Sequence, residues 1–155
     1  MNSYKRLVVG FEAPVWVSWA QNNRSALVRV PVTRPDKTSS TRIEFRSPDP
    51  SCNPYLAFSV ILAAGLKGIR EGYELPAETL ENLFELTPSD GRKLGIEPLP
   101  ASLAEALDEM EKSELVHSAL GDHIFEWFLR NKRAEWRDYK ANVSQWELER
   151  YLPSW

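Results

Sequence analysis

Three observations predict an α+β fold, a few antiparallel strands followed by helices that cover one side. Residues 1–50 hold short runs of β-branched and aromatic side chains between polar turns. From residue 51 onward, helix start signals and helix-period apolar positions take over. Between them, Arg42-Ile43-Glu44-Phe45-Arg46 alternates strictly, which puts three charged side chains on one face of a strand and two apolar ones on the other.

The elements follow in order. Val15-Trp16-Val17-Ser18-Trp19 and Ala26-Leu27-Val28-Arg29-Val30 read as strands. Pro31–Ser40 carries proline, aspartate, lysine and serine and reads as a loop before the Arg42–Arg46 strand. Its Ile43 and Phe45 should pack on a core. Asn53 is an N-cap for a helix with Pro54 at the first position, where the missing N–H costs nothing. Tyr55 to Arg70 is almost wholly apolar and ends before Gly72, so a buried helix is expected. The following stretch to Pro100 holds Pro76, Pro88, Pro98 and Pro100 and should mix turns with one short helix. Ser102-Leu103-Ala104-Glu105 is a capping-box pattern opening a helix toward Lys112. Asp122 should cap a long helix carrying Phe125, Phe128, Leu129, Trp136, Tyr139, Val143 and Trp146, with Pro153 limiting its end.

Bulk properties narrow the function classes. At 155 residues and 43% apolar content the chain can build a real core. A net charge of −3 argues against a nucleic-acid partner. The charge is uneven, however: eight Lys/Arg against four acids fall within residues 1–49. A positive first third on an acidic protein suits small anionic ligands. Cys52 is the only cysteine, which excludes an intrachain disulfide and fits a reducing cytoplasm; it reads as a buried thiol. No apolar run reaches the length of a membrane span, and no signal peptide leads the chain.

The Arg42–Arg46 strand concentrates the chemistry. A carboxylate can hold a hard divalent cation, and guanidiniums grip carboxylate or phosphate in a bidentate fork. Taken alone, an R-x-E-x-R strand is more often a solvated face with salt bridges. Its neighbours change that balance. Asn2-Ser3-Tyr4-Lys5-Arg6-Leu7, Gly10-Phe11-Glu12-Ala13-Pro14, Asn23-Arg24-Ser25-Ala26, Arg42–Arg46, Pro48-Asp49-Pro50 and Asn53-Pro54-Tyr55-Leu56-Ala57 occur in one order. The series resembles the C-terminal portion of the catalytic domain of type I glutamine synthetases. The likeness runs on through Leu120-Gly121-Asp122-His123 and Gln145-Trp146-Glu147, so it covers essentially residues 1–155 as one stretch of catalytic domain, strands and active-site loops in 1–50 and mainly helices in 51–155.

The resemblance implies an incomplete catalytic barrel and an ATP-dependent glutamate–ammonia ligase, working through γ-glutamyl phosphate. It implies Mg²⁺ or Mn²⁺ at two sites, with Glu44 as the one metal ligand in this chain. Arg6 and Arg46 correspond to arginines that hold glutamate, and Arg24, Arg29, Lys37 and Arg42 to groups on ATP, with Arg24 also stabilising transferred charge. Glu12 falls in a flap over the reacting glutamate, flanked by Gly10 and Pro14, where a carboxylate attracts the ammonium side of the reaction. His117 and His123 read as structural. Family members form double hexameric rings, so a homo-oligomer gripped by Leu148–Trp155 is implied. Val9 stands where proline is common, and Phe84 where some bacterial members carry an adenylylated tyrosine; that regulation should be absent. The chain reads like the back half of something, and one carboxylate cannot complete a two-metal site, so the chain alone is expected to be inactive. The alternatives are a γ-glutamyl-polyamine ligase relative and a non-catalytic module that joins a full-length synthetase ring.

Overall fold

Each β-branched run in the first fifty residues is cut by a polar turn, and the strands that result are short. The computed structural model describes residues 2–34 and 36–154. A single helical turn, α1 (Ser3–Arg6), precedes β1 (Trp19–Gln21), β2 (Val28–Val30) and β3 (Glu44–Phe45), which form one sheet in the order β1-β2-β3. β2 and β3 are antiparallel, with Val28 opposite Phe45 and Arg29 opposite Glu44. β1 and β2 are parallel, Trp19 facing Val28 and Gln21 facing Val30, which corrects the expectation of antiparallel pairing throughout. Asn22 is the reason. Its left-handed backbone (φ +59°) carries the chain back past β1 to re-enter beside its start, instead of reversing in a hairpin.

Val15–Val17 do not join the sheet because they pair elsewhere. Trp16 bridges to Pro98. The Val17 N–H donates to the Glu97 carbonyl at 2.8 Å, and Leu99 N–H to Val15 at 2.7 Å. Trp16 is 3% exposed and joins Ala13, Ala20, Ala26, Leu27 and Leu83 in the core of residues 2–101, one of two compact units of the chain. Its six-membered ring lies so close to Gly91 that a Cβ there would meet Cζ3 at 2.4 Å. Gly91 belongs to α3 (Pro88–Leu94); before α3 comes α2 (Pro54–Glu71).

Helix α2 starts and stops as its sequence requires. The Asn53 side chain accepts from the Tyr55 and Leu56 N–H groups, Pro54 is at the first position, and Gly72 ends the helix at φ +64°. Its burial differs from expectation: no residue of α2 is buried, and Tyr55, Phe58, Leu62, Leu66 and Ile69 are all exposed. The apolar face of the third strand is likewise uncovered, with Ile43 and Phe45 exposed, so neither packs on a core among the described residues. Cys52 is exposed as well, not a buried thiol. The proline-rich stretch after Gly72 forms a 3-10 turn at Leu83–Glu85 and α3, as expected.

The second unit begins at Ser102. Ser102 caps α4 (Leu103–Glu111) by accepting from Glu105 N–H. α5 (Glu114–Ala141) follows, broken at Gly121, whose φ of +73° and ψ of 157° are non-helical; α6 (Gln145–Tyr151) and a 3-10 turn at Leu152–Ser154 complete this unit. Leu103, Leu107, Phe125 and Leu129 are its buried residues, and Arg133 binds Asp108 at 3.0 Å and Glu111 at 2.6 Å. Trp146 lies outside the long helix, because Ser144 and Glu147 form a capping box that starts α6. His117, read as structural, stacks on Phe125 at 4.4 Å, and its Nε2 lies 2.8 Å from Asp122 Oδ1. Trp127, Tyr139, Trp146 and Tyr151 are exposed. Trp155, the end of the expected gripping segment, lies outside the described residues. No helix among the described residues is long and apolar enough to cross a membrane.

Gly91→Ala pits a gain in helix propensity of about 1 kcal/mol against overpacking of a buried tryptophan. Overpacking wins, because the ring is enclosed and cannot step aside. We expect a net loss of about 1–3 kcal/mol, read as a lower urea midpoint. An unchanged or raised midpoint would contradict the packing of Trp16 on α3.

Candidate active site

The β2–β3 register decides what meets at the site. Arg29 and Glu44 are direct cross-strand partners, so their side chains share a face. Arg29 Nη1 donates to Glu44 Oε2 at 2.8 Å. Arg42, two residues before Glu44, shares that face by strand alternation, and its Nη2 donates to Glu44 Oε1 at 2.8 Å. Both carboxylate oxygens are thus held by guanidiniums. The side chains of Arg29, Arg42 and Glu44 are 22%, 55% and 30% exposed, an open but not fully solvated group. Arg29 first, then Arg42, holds the Glu44 carboxyl below the ordinary glutamate range through these bonds.

Arg46 extends the set. Its N–H donates to the Leu27 carbonyl at 2.9 Å, which prolongs the β2–β3 pairing by one step. Arg6, at the end of α1, donates to the Ser47 carbonyl at 3.1 Å and the Arg46 carbonyl at 3.0 Å, tying that helical turn to the exit of β3. Burial, and then the charge of Arg29, push the Arg46 pKa down; Arg6 adds to the repulsion, while Glu44 and Glu12 oppose it. Arg29 Nε is buried and makes no hydrogen bond. The cluster therefore holds more positive charge than its own carboxylates offset, and it has a spare N–H donor. That is an arrangement for an anion.

The remaining expected residues stand further out. Glu12 is exposed in the bend after Gly10, whose φ of +91° favours glycine, and it reaches the cluster only through its charge on Arg46. Arg24 and Lys37 are exposed, and among the described residues neither makes a side-chain hydrogen bond or ion pair with the cluster. Phe84 is half-buried beside the loop, its carbonyl accepting from Gly10 N–H at 3.1 Å.

Two residues that position the site escaped the sequence reading. Asn23 Nδ2 donates to the carbonyls of Thr79 at 2.8 Å and Glu81 at 3.0 Å, while its Oδ1 accepts from Ser25 N–H and Oγ–H. Ser25 Oγ also accepts from Leu83 N–H at 3.0 Å. Together they latch the turn that bears Arg24. The Asn-x-Ser spacing of an Asx turn is the signal that could have shown it.

For a divalent cation the chain offers little by itself. Among the described residues no group of three His, Cys, Asp or Glu converges, and both oxygens of Glu44 are already bonded to arginine. Glu44 suits one ligand position of a hard cation, and the others have to come from elsewhere. A cavity of about 550 Å³ lined by Leu7, Val9, Trp16, Pro98 and Leu99 is largely apolar, and none of the expected site residues lines it.

A family model described as "Glutamine synthetase, catalytic domain" matches residues 1–151. A glutamine synthetase of Mycobacterium tuberculosis (strain ATCC 25618 / H37Rv) is 57% identical over 98% of this chain and 34% of its own length. The chain thus spans about a third of the length of the curated relatives it matches, and it corresponds to their C-terminal part. Among solved structures, apo GmaS without ligand is 34% identical with a TM-score of 0.77, over 97% of this chain and 32% of that one. A GmaS/ADP complex is 32% identical with a TM-score of 0.73, over 91% and 30%.

The held carboxylate gives a pH prediction. A group whose folded pKa is depressed adds stability that is present above its unfolded pKa and lost as pH falls through the folded one. The carboxyl ¹³C shift of Glu44 should therefore titrate below the ordinary glutamate range. Arg29→Ala should raise the midpoint more than Arg42→Ala. A wild-type midpoint in the ordinary range, or the reverse order, would contradict the ion-pair geometry.

Proposed function

The chain belongs to the glutamine synthetase catalytic-domain family, and from that premise we propose that it supplies the arginine-rich wall of a site joining ammonia to glutamate at the expense of ATP. The observation that carries this reading is the cross-strand group Arg29–Glu44–Arg42, with Arg46 and Arg6 beside it and one donor unspent. Such a wall fits a ligand with several anionic oxygens, and phosphoryl transfer to a carboxylate brings two of them together. The ADP named in the GmaS complex supports a nucleotide here.

In this reading Arg29 and Arg42 take the ATP phosphates, Arg24 and Lys37 reach them from the flanking loops, and Arg24 stabilises charge in transfer. Arg46 and Arg6 grip the carboxylates of glutamate through forked guanidinium bonds. Glu44 would supply one ligand to Mg²⁺ or Mn²⁺, and that ion would neutralise charge on the transferring phosphoryl group. Glu12, on the bend that Gly10 permits, offers its carboxylate to the ammonium side. Residues 1–155 act as one piece of one catalytic domain, and the exposed aromatics of α5 and α6 serve contacts between copies in a cytoplasmic homo-oligomer. A relative that ligates an amine other than ammonia differs in a pocket lying mostly outside these residues.

The chain alone should be inactive, because Glu44 is the one metal-ligand candidate among the site residues named here and cannot complete a two-metal site. We expect the pure chain with ATP, magnesium, glutamate and ammonium to give no ammonium-dependent phosphate release. Combined with the part of the Mycobacterium tuberculosis relative that precedes the matched stretch, it should release phosphate, and Glu44→Ala should cut the rate about 100-fold or more. Clear release by the chain alone, or by the Glu44→Ala assembly at the wild-type rate, would overturn the assignment. Mass analysis of the product with ammonium, methylamine or a polyamine identifies the amine.

A further inference from the structure

We infer that Asn23 and Ser25 are positioning residues that set Arg24 and Glu12 in one frame. They do so by gripping residues 80–84, the same short segment from which the bend carrying Glu12 hangs. The inference rests on the family reading above for what the two charged groups do, and it adds that their placement is shared.

Arg24 and Glu12 are exposed, and neither side chain has a hydrogen bond or ion pair among the described residues. Backbone position therefore decides where each one stands. Arg24 lies between Asn23 and Ser25, and their side chains hold the turn from both sides. Every hydrogen-bonding position of the Asn23 amide is filled: two carbonyls, of Thr79 and Glu81, take its N–H donors, and two Ser25 groups donate to its oxygen. Carbonyls only accept and a backbone N–H only donates, so the amide has one orientation. Ser25 is 3% exposed, and its hydroxyl donates to Asn23 Oδ1 at 2.7 Å while accepting from Leu83 N–H at 3.0 Å. A sheltered network with all its members satisfied is rigid.

The gripped segment has one firm end. Trp19 Nε1 donates to the Pro76 carbonyl at 2.8 Å, Gln21 N–H to Glu78 Oε2 at 3.0 Å, and Thr79 N–H to the Trp19 carbonyl at 3.0 Å. Residues 76–79 thus run along the edge of β1 that β2 leaves free. Beyond Thr79 the chain leaves that edge. Burial of Leu83, 1% exposed, sets its depth but gives it no direction. Direction comes from the bonds of Asn23 to the Glu81 carbonyl and of Leu83 N–H to Ser25. Asn82 then caps the 3-10 turn by accepting from Phe84 N–H at 3.2 Å, which orients the Phe84 carbonyl.

That carbonyl carries the second loop. It accepts from Gly10 N–H at 3.1 Å, inside a bend that Phe11 N–H closes on the Val8 carbonyl at 3.2 Å. On the other side of Glu12, Ala13 and Pro14 are buried. Glu12 therefore stands between the core and a carbonyl whose aim depends on Asn23 and Ser25. In the reading above, Arg24 serves the transferring phosphoryl group and Glu12 the ammonium. Groups acting on two reactants have to keep their spacing closely, and one shared support does that.

Hydrogen exchange of the full chain, followed amide by amide by NMR, tests the inference. In Ser25→Ala, Gly10 N–H should exchange at least about tenfold faster along with Leu83 N–H, although Gly10 hydrogen-bonds to Phe84 and not to Ser25. Asn23→Asp, which keeps the acceptor and loses the donors, should do the same. Val17 and Leu99, whose N–H groups pair with Glu97 and Val15, should keep their wild-type rates. Faster exchange at Leu83 with Gly10 unchanged overturns the inference, because the grip then ends at the Arg24 turn. Equal quickening at Val17 and Leu99 overturns it too, since that marks a merely structural role. In the chain completed with the remainder of the Mycobacterium tuberculosis relative, Ser25→Ala should raise the KM for ATP and for ammonium together, each at least about threefold. A rise for ATP alone would break the shared frame. No phosphate release from the wild-type assembly faults the catalytic reading instead, and exchange at Gly10 still decides the inference.

Discussion

The pairing of β2 with β3 is the constraint on which the site depends. Register puts Arg29 across from Glu44, and strand alternation then places Arg42 on the same face. One residue of slip would send Glu44 to the far side and leave the guanidiniums without a carboxylate. The ion pairs themselves are half-exposed, and pairs of that kind add little to stability. Their value lies in geometry: they hold three side chains in place. The backbone bond from Arg46 to Leu27 and the two bonds from Arg6 fix the same register from its other end.

Around this small ordered centre much apolar surface is uncovered. Three short strands bury Ala20, Ala26 and Leu27 on the inner side, but Ile43, Phe45 and the α2 stripe face outward. A cationic cluster with an unspent buried donor and an apolar stripe with no cover are incomplete in different ways. The chain spans about a third of the length of the curated relatives it matches.

How far the sequence could be read depended on whether the physics was local. Caps are local, and Asn53, Ser102 and Gly72 act as their residue types require. The facing of Arg42 with Glu44 is also local, since alternation sets it. Parallel entry of β2 beside β1 was not legible, because it follows from the left-handed turn at Asn22 and from residues 15–17 pairing with 97–99 far along the chain. A helix start at Asp122 is local too, and the backbone breaks at Gly121 just before it, whereas the separate start of α6 was hidden by an apolar period that runs through Val143 and Trp146. Burial of α2 was read from composition, which reports what a helix needs and not whether its partner is within reach. The roles of Arg6, Arg24 and Lys37 came from resemblance; of the three, Arg6 is tied by hydrogen bonds to the backbone of Arg46 and Ser47, at the exit of β3.

The central claim is that the Arg29–Glu44–Arg42 group opens to receive nucleotide phosphate and a divalent cation. The most direct measurement is a structure of the chain, completed by the rest of a synthetase subunit, with magnesium and a non-hydrolysable ATP analogue. The account predicts Arg29 and Arg42 on the phosphate oxygens and a Glu44 oxygen on the metal. Phosphates bound elsewhere, with the two arginines still closed on Glu44, would contradict it.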